Sequence, residues 1–495
     1  MKILFIYPDL VDGNLNYRGS VALSVASLSA YIQSRNHMTS LFHIFQPITK
    51  DQFCIRIQDE KPDLIGFSST SLYADYVNVW AKWAKEASNV PVALGGAHAT
   101  FCPEKSIAME GIDIICVGEG EVPLATLCDN LEQGKDITKI PSLWVKQGDT
   151  ICRNPCGPVI ENLDEIPMAD RELFSLENLD AAQPHMRHKM ILVMASRGCP
   201  FNCFYCCNHV VKEKYPNKSK YVRFMSVDKF IKELIVLKKR YPFVTDFAIL
   251  DDILPLFKDW LVVFSKEYRK YINLPFRCQS RIDITDEDTV RLLYEAGCYR
   301  IQFGLEHGNQ YLLKNMLNRT LDLEKAKNIF MLCKELGIHT STFNMTGFPG
   351  ETPLQSLDTI KANVFINSDV QNIYAVYPFE GTRLYEIAKS QGLLNEKKSN
   401  KLYFNMDDTI LNLKDMTHTE LLFGVGYFRL FILLYKAINK QPRLLQPLLE
   451  KILDSVYLGR VTPRRLLNSI QRKFDINSRI LTAQYKEFEK KYNWS

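Results

Sequence analysis

Residues 189–207 read KMILVMASRGCPFNCFYCC. The first half is an apolar run of strand character, and the second places Cys199, Cys203 and Cys206 at a C-x3-C-x2-C spacing. One short loop can fold three such thiolates around a single centre. Three protein ligands are one too few for a closed site, and soft thiolates favour an iron–sulfur cluster or zinc. Zinc needs a fourth ligand; only Cys207 and His209 are near, and the usual second C-x2-C pair is absent from the sequence. A cubane held at three irons keeps its fourth iron open to bind and reduce a small molecule.

Downstream, apolar runs at 189–195, 246–250, 275–280, 299–304, 339–346 and 372–377 alternate with helical segments such as 227–240, 286–296 and 323–336. Six βα units of this length predict a partial or complete β/α barrel, whose chemistry gathers at the carboxyl ends of its strands. That rule puts Asp251 and Asp252 (AILDD), Ser280 and Arg281 (CQSRID) and Glu306 (QFGLEHG) on one rim. Upstream, strand candidates at 2–7, 41–45, 63–68, 91–95 and 113–117, with helical stretches such as 22–33 and 73–87 between them, predict a doubly wound, Rossmann-like parallel sheet. Its ligand edge would be shared by the loops 8–19, 68–72, 95–100 and 118–121. Residues 131–188 lose the alternation and carry five prolines, so they read as a connector. Past 393 the strand pattern stops, and the chain from 421 onward looks helical. The expected organisation is a Rossmann-like domain over 1–135, a connector over 136–188, a barrel over 189–393 and a helical, basic C-terminal region over 394–495.

The three cysteines, with aromatic Tyr205 immediately before the third and a barrel strand immediately before the first, resemble the hallmark of the radical S-adenosylmethionine (SAM) superfamily. The resemblance implies that Cys199, Cys203 and Cys206 ligate a [4Fe-4S] cluster whose open iron chelates SAM. One electron then cleaves SAM to methionine and a 5′-deoxyadenosyl radical. It also implies that Tyr205 lies near the adenine, while Cys207, off the motif spacing, is not a ligand. On the rim, Arg281 can pair with the SAM carboxylate and Asp251 or Asp252 with its ammonium group. Glu306 can hold a ribose hydroxyl or the substrate, and Ser280 stands beside them; each of these residues has a plainer reading within a rim ion pair. TGFPGET at 346–352 and YPFEGTRLY at 377–385 resemble family markers of one large branch of the superfamily.

That branch carries an N-terminal cobalamin-binding domain. GGAHAT at 95–100 with Pro103 and Glu104, VGEGE at 117–121 and LDEIP at 163–167 are similar to its signatures, so the resemblance runs from residue 1 to about 395. The cobalamin contacts it implies are Gly95, Gly96, Gly118 and Gly120, whose bare backbone lets a bulky nucleotide tail approach. Ser68, Ser69 and Thr70 offer hydroxyls. His98 and Glu119 lie on the same loops, His98 reading better as a hydrogen-bonding residue. The loop after the first strand, YPDLVDG at 7–13, lacks the histidine of a D-x-H-x-x-G motif. Cobalamin would therefore be held without a protein imidazole.

Composition sets the outer bounds. In 495 residues, 46% are hydrophobic and 24% charged, near globular averages, which excludes disordered, collagen-like and coiled-coil classes. Thirteen cysteines in a chain too long to need disulfides fit a reducing, cytoplasmic location. The longest apolar stretch, 421–435, is fifteen residues with Arg429 inside it, short of the roughly 20 that span a bilayer, so no membrane crossing is expected. The net charge of +5 is too mild to predict nucleic acid as a partner. It is uneven, because residues 436–495 hold 13 Lys and Arg against 5 Asp and Glu. Such a tail reads either as a helical cap with its lysines outward or as a peripheral contact with anionic lipid. The expected activity is cobalamin-dependent methyl transfer to an unactivated carbon of a small-molecule or lipid-like substrate, with an external electron donor of the flavodoxin or ferredoxin type. Other readings are radical cyclisation, ring contraction, carbon–carbon coupling or oxidation, and, from another class, a non-catalytic iron–sulfur electron carrier or scaffold.

Overall fold

The computed structural model describes residues 1–10, 19–174, 190–395 and 408–460. The chain divides into two units. One holds the described residues of Met1–Met186 with Ser196–Phe201 and Cys207–Lys229; the other holds those of Arg187–Ala195, Asn202–Cys206 and Phe230–Ser495.

In the first unit β1 (Lys2–Pro8), β2 (Met38–Ile44), β3 (Leu64–Ser68), β4 (Val92–Gly95) and β5 (Ile114–Cys116) are parallel and lie in the order β2-β1-β3-β4-β5. The order reverses beside β1, which makes the carboxyl edge between β1 and β3 a topological switch point. β3 is buried along its whole length. A strand covered on both faces carries no polar alternation, which is why 64–67 (LIGF) reads as an unbroken apolar run. The connector expected over 136–188 contains structure that its sequence does not announce. There β6 (Leu143–Gln147) pairs antiparallel with β5, and β7 (Thr150–Arg153) pairs with β6, so the sheet has seven strands. The hairpin turns through Gly148 at φ +57°. Leu143 and Val145 reach the core beside Ile3, Phe5 and Ala125, but β7 is an edge strand with no buried residue and so lacks an apolar signature. A short antiparallel ribbon, β9 (Ser196–Arg197) with β10 (Arg223–Phe224), also belongs to this unit.

The second unit is an open half-barrel. β8 (Met190–Val193), β11 (Asp246–Ile249), β12 (Phe276–Arg281), β13 (Cys298–Glu306), β14 (His339–Thr346) and β15 (Val370–Ala375) are all parallel, and spatial order follows chain order. The six strands fall where the sequence puts them, and β8 and β15 form the two edges, so the barrel is partial. Local chemistry sets the helix ends between them. Asp286 caps Glu287–Ala296 by accepting from Thr289 N, and Gly297 ends it at φ +97°. Thr352 and Gln355 form a capping box ahead of Pro353–Ile366.

Beyond β15, His418–Ile438 and Gln446–Tyr457 are helices. The first absorbs the apolar 421–435 stretch into 21 residues that by length and composition are enough to cross a membrane. It is instead a core helix. Phe423, Phe428, Phe431 and Ile432 pack with Leu357 and Ile360 of the Pro353–Ile366 helix and with Ile373 and Ala375 of β15. Its buried Arg429 donates Nε to the Gln371 carbonyl at 2.5 Å and its guanidinium to Asn372 Oδ1 at 3.4 Å.

Candidate active site

The cysteine loop is shaped by backbone before any ligand is considered. Gly198 sits at φ +85°, and a Cβ there would stand 2.4 Å from the Tyr221 carbonyl, so only glycine lets the chain leave β9 in this direction. Cys199, next in line, is buried. In the second unit, Phe204 donates its N–H to the Leu317 carbonyl at 3.2 Å and accepts from Leu384 N at 2.9 Å. Asn318 Nδ2 donates to the Asn202 carbonyl at 2.9 Å, and Cys206 N to the Cys203 carbonyl at 3.1 Å. All three motif cysteines are free thiols. Among the described residues no three His, Cys, Asp or Glu side chains converge on a single metal-ion position. The donors the sequence offers at this spacing are three soft thiolates, whose chemistry suits an iron–sulfur cluster.

Arg281, at the end of β12, donates to Cys203 Sγ at 3.1 Å. It is held there by Asp283, which accepts from its Nε at 3.0 Å and its other terminal nitrogen at 2.6 Å. Burial pushes the Cys203 thiol above its ordinary value, and the cationic Arg319 and Arg281 pull it back toward the thiolate. Burial also opposes the charge on Asp283, but its bonds to Arg281 keep its carboxyl below the usual range.

Tyr205 and Glu306 meet as well. The Tyr205 hydroxyl donates to Glu306 Oε1 at 2.8 Å, and Arg319 donates to the same oxygen at 3.1 Å, to the Tyr205 oxygen at 3.3 Å and to the Gly304 carbonyl at 2.9 Å. Glu306 lies at a register break between β13 and β14 with φ +66°, a conformation that is uncommon for a non-glycine residue. Gly304 makes room for its carboxylate, since a Cβ at 304 would fall 2.3 Å from Glu306 Oε1. Burial and the nearby Glu306 charge push the Tyr205 phenol well above its ordinary value. Sequence reading missed Arg319 and Asp283. The usable signal was indirect: a buried glutamate on an apolar strand calls for a buried cation.

The remaining rim residues are engaged within the protein. Both oxygens of buried Asp251 accept from Ala195 N, at 3.1 and 3.0 Å, tying β11 to the end of β8 just ahead of the cysteines. Asp252 is exposed. Ser280 Oγ lies 2.8 Å from Thr285 Oγ1. In TGFPGET, the buried Glu351 accepts from Gly347 N and Phe348 N at 2.6 and 2.9 Å, from Thr346 Oγ1 at 2.8 Å, and lies 3.1 Å from His307 Nε2. It is a staple for that loop.

In the first unit three of the four signature glycines have close protein neighbours on the side where a Cβ would stand. A Cβ at Gly96 would lie 2.7 Å from the Ser69 carbonyl, one at Gly118 2.7 Å from the Tyr215 hydroxyl, and one at Gly120 3.0 Å from Leu28. At these three positions glycine relieves crowding against protein on that side. Gly95 alone of the four keeps room, with nothing closer than 3.9 Å. His98 lies with Nδ1 3.0 Å from Ser71 Oγ. Ser69 Oγ donates to the Thr70 carbonyl, Ser68 is buried and Thr70 is exposed. Glu119 accepts two hydrogen bonds from Arg223, at 3.0 and 2.5 Å. Glu121 accepts from Arg197 at 2.5 Å and from Ser27 at 2.8 Å. The VGEGE carboxylates thus grip the β9–β10 ribbon, whose Arg197 stands two residues before Cys199. Thr70 follows the carboxyl end of β3, and Gly95 ends β4.

Comparison with known proteins agrees with both halves. The B12 binding domain family matches residues 20–128, and the Radical SAM superfamily matches residues 193–362. An uncharacterized methyltransferase of Pyrococcus horikoshii is 27% identical over 426 residues, covering 85% of this chain and 90% of its own length. The methyltransferase TsrM of Kitasatospora setae, solved with cobalamin and a [4Fe-4S] cluster, superposes with a TM-score of 0.65 at 18% identity over 79% of this chain and 78% of that one. OxsB, solved with aqua-cobalamin and SAM, gives 0.67 at 15% identity over 99% and 79%. At these identities the structural likeness is one of fold.

Proposed function

Since this chain belongs to the radical SAM enzymes that carry a B12-binding domain, we propose that it transfers a methyl group to an unactivated carbon of a small-molecule substrate. When bound, the cluster and SAM supply a hydrogen-abstracting radical, and cobalamin supplies the methyl group. Residues 189–393 would house the radical chemistry and residues 1–135 the corrinoid. Cys199, Cys203 and Cys206 would hold the cluster. Arg281, braced by Asp283, sets positive charge beside the Cys203 sulfur and favours its thiolate. Arg319 and Glu306 fix Tyr205, and Asp251 fixes the strand end from which the loop departs.

The observation that carries the proposal is the conjunction, in one chain, of a three-cysteine loop after the first half-barrel strand with a β2-β1-β3-β4-β5 sheet. A one-electron donor of the flavodoxin or ferredoxin type and a cytoplasmic location complete the reading, supported by thirteen cysteines that are all free thiols. Anaerobic reconstitution with iron, sulfide, SAM, reductant and methylcobalamin tests it. Wild type should form 5′-deoxyadenosine and retain corrinoid, and Cys199→Ser, Cys203→Ser and Cys206→Ser should each abolish 5′-deoxyadenosine. Retention of no corrinoid would sink methyl transfer and leave the other radical outcomes. Failure of the fully loaded protein to cleave SAM would leave an electron carrier or scaffold.

A further inference from the structure

The last two described helices leave a patch that the half-barrel does not use. The inner side of Gln446–Tyr457 packs through Leu453 and Tyr457 against the His418–Ile438 helix. Tyr457 also reaches Ser356 Oγ at 3.0 Å, and Tyr435 and Lys361 both bond Asp454. The hairpin is therefore firmly seated. Its outer side carries Leu444, Leu445, Leu448 and Ile452 at 94, 48, 59 and 52% exposure, with Leu433 and Leu434 of the preceding helix at 42 and 40%. Leu445, Leu448 and Ile452 recur at three and four residues and so share one side of their helix. Single exposed leucines need no explanation, but a group of them on one short hairpin marks a surface that meets something apolar.

The charges around the patch select the occupant. Lys440, Arg443, Lys451 and Arg460 are exposed, whereas the hairpin's acids, Glu420, Glu450 and Asp454, are half-buried, Glu420 closing the capping box with Thr417 and Asp454 being taken up by Lys361 and Tyr435. From Lys436 onward the sequence holds 13 basic residues against 5 acidic. Apolar side chains ringed by cations fit the boundary of an anionic bilayer, where leucines enter the acyl region and ammonium and guanidinium groups meet lipid phosphates. We propose that the hairpin formed by His418–Ile438 and Gln446–Tyr457 docks this protein on an anionic membrane surface. The inference is independent of the catalytic reading, because vesicle binding needs neither cluster nor corrinoid.

Co-sedimentation of the full chain tests it, with phosphatidylcholine vesicles compared with vesicles of phosphatidylcholine plus phosphatidylglycerol. Wild type should bind the anionic vesicles at least about tenfold more tightly than the neutral ones, and added salt should weaken that binding. The variant Leu444→Ser/Leu445→Ser/Leu448→Ser/Ile452→Ser, with an unchanged far-ultraviolet dichroism spectrum, should lose about tenfold or more. Lys440→Gln, Arg443→Gln and Lys451→Gln should each lose about fivefold on anionic vesicles only. Three results would overturn the proposal: no binding to anionic vesicles, binding that neither set of substitutions changes, or a soluble dimer that the leucine substitutions dissociate, which would assign the patch to a second copy of the chain.

Discussion

Arg319 is buried between Glu306 and Tyr205, and removing one member of a buried pair strands the other. Arg319→Met should therefore destabilise the protein by about 3 kcal/mol, read as a fall in urea midpoint. The double variant Glu306→Gln/Arg319→Met should regain part of that loss, because no carboxylate is then left without its cation. A second residue reports through pH. Burial lowers the Lys436 ammonium from 10.5 to about 8, although its Nζ donates to the Ser368 carbonyl. Between those values the unfolded chain binds the proton that the folded one has shed, so this residue's contribution makes stability rise with pH. Lys436→Met should be the more stable protein near pH 7, and its advantage should shrink as pH climbs from about 8 toward 10.5; parallel denaturation series would show the gap closing. At this scale the cysteine motif singled out Cys203 and Tyr205, and the strand-end rule singled out Arg281 and Glu306. Neither could supply their partners. Asp283 and Arg319 stand in polar loop sequence with the look of solvated charge, and only the bend of those loops turns them inward.

Elements were more legible than partners. Strands such as β1, β3 and β4 announce themselves because burial on both faces demands continuous apolar residues, whereas β14 (HTSTFNMT) is largely polar. The β6–β7 hairpin escaped because an edge strand exposes half its residues and mixes Lys, Gln and Thr among Trp, Val and Ile. The glycine signatures were legible as turns, but not the crowding at Gly96 and Gly118, since a positive φ does not say which side of the backbone is crowded. Two substitutions test elements directly. Thr417→Ala removes the capping box of His418–Ile438 and should cost about 1 kcal/mol in thermal or chemical unfolding. Gly198→Ala forces a Cβ toward the Tyr221 carbonyl at a left-handed backbone position. It should cost about 2 kcal/mol or more and lower the iron content of reconstituted protein more than its corrinoid content.

For the whole molecule, the cysteines and the corrinoid signatures fall in separate sequence regions, residues 199–206 and 68–120. The triple variant Cys199→Ser/Cys203→Ser/Cys206→Ser should lose its iron and keep its corrinoid, as measured by metal analysis and ultraviolet–visible spectra of one preparation. The His418–Ile438 helix has a consequence for synthesis. Its socket, the Pro353–Ile366 helix and β15, precedes it in the chain, so a ribosome delivers the receiving surface before the apolar segment that fills it. The helix need not wait exposed. A circular permutant opened just ahead of residue 418 would reverse that order, bringing out first a 21-residue stretch with the mean hydropathy of a membrane span. Vectorial synthesis thus favours the same outcome as the finished packing, a helix seated in protein and not threaded across a bilayer.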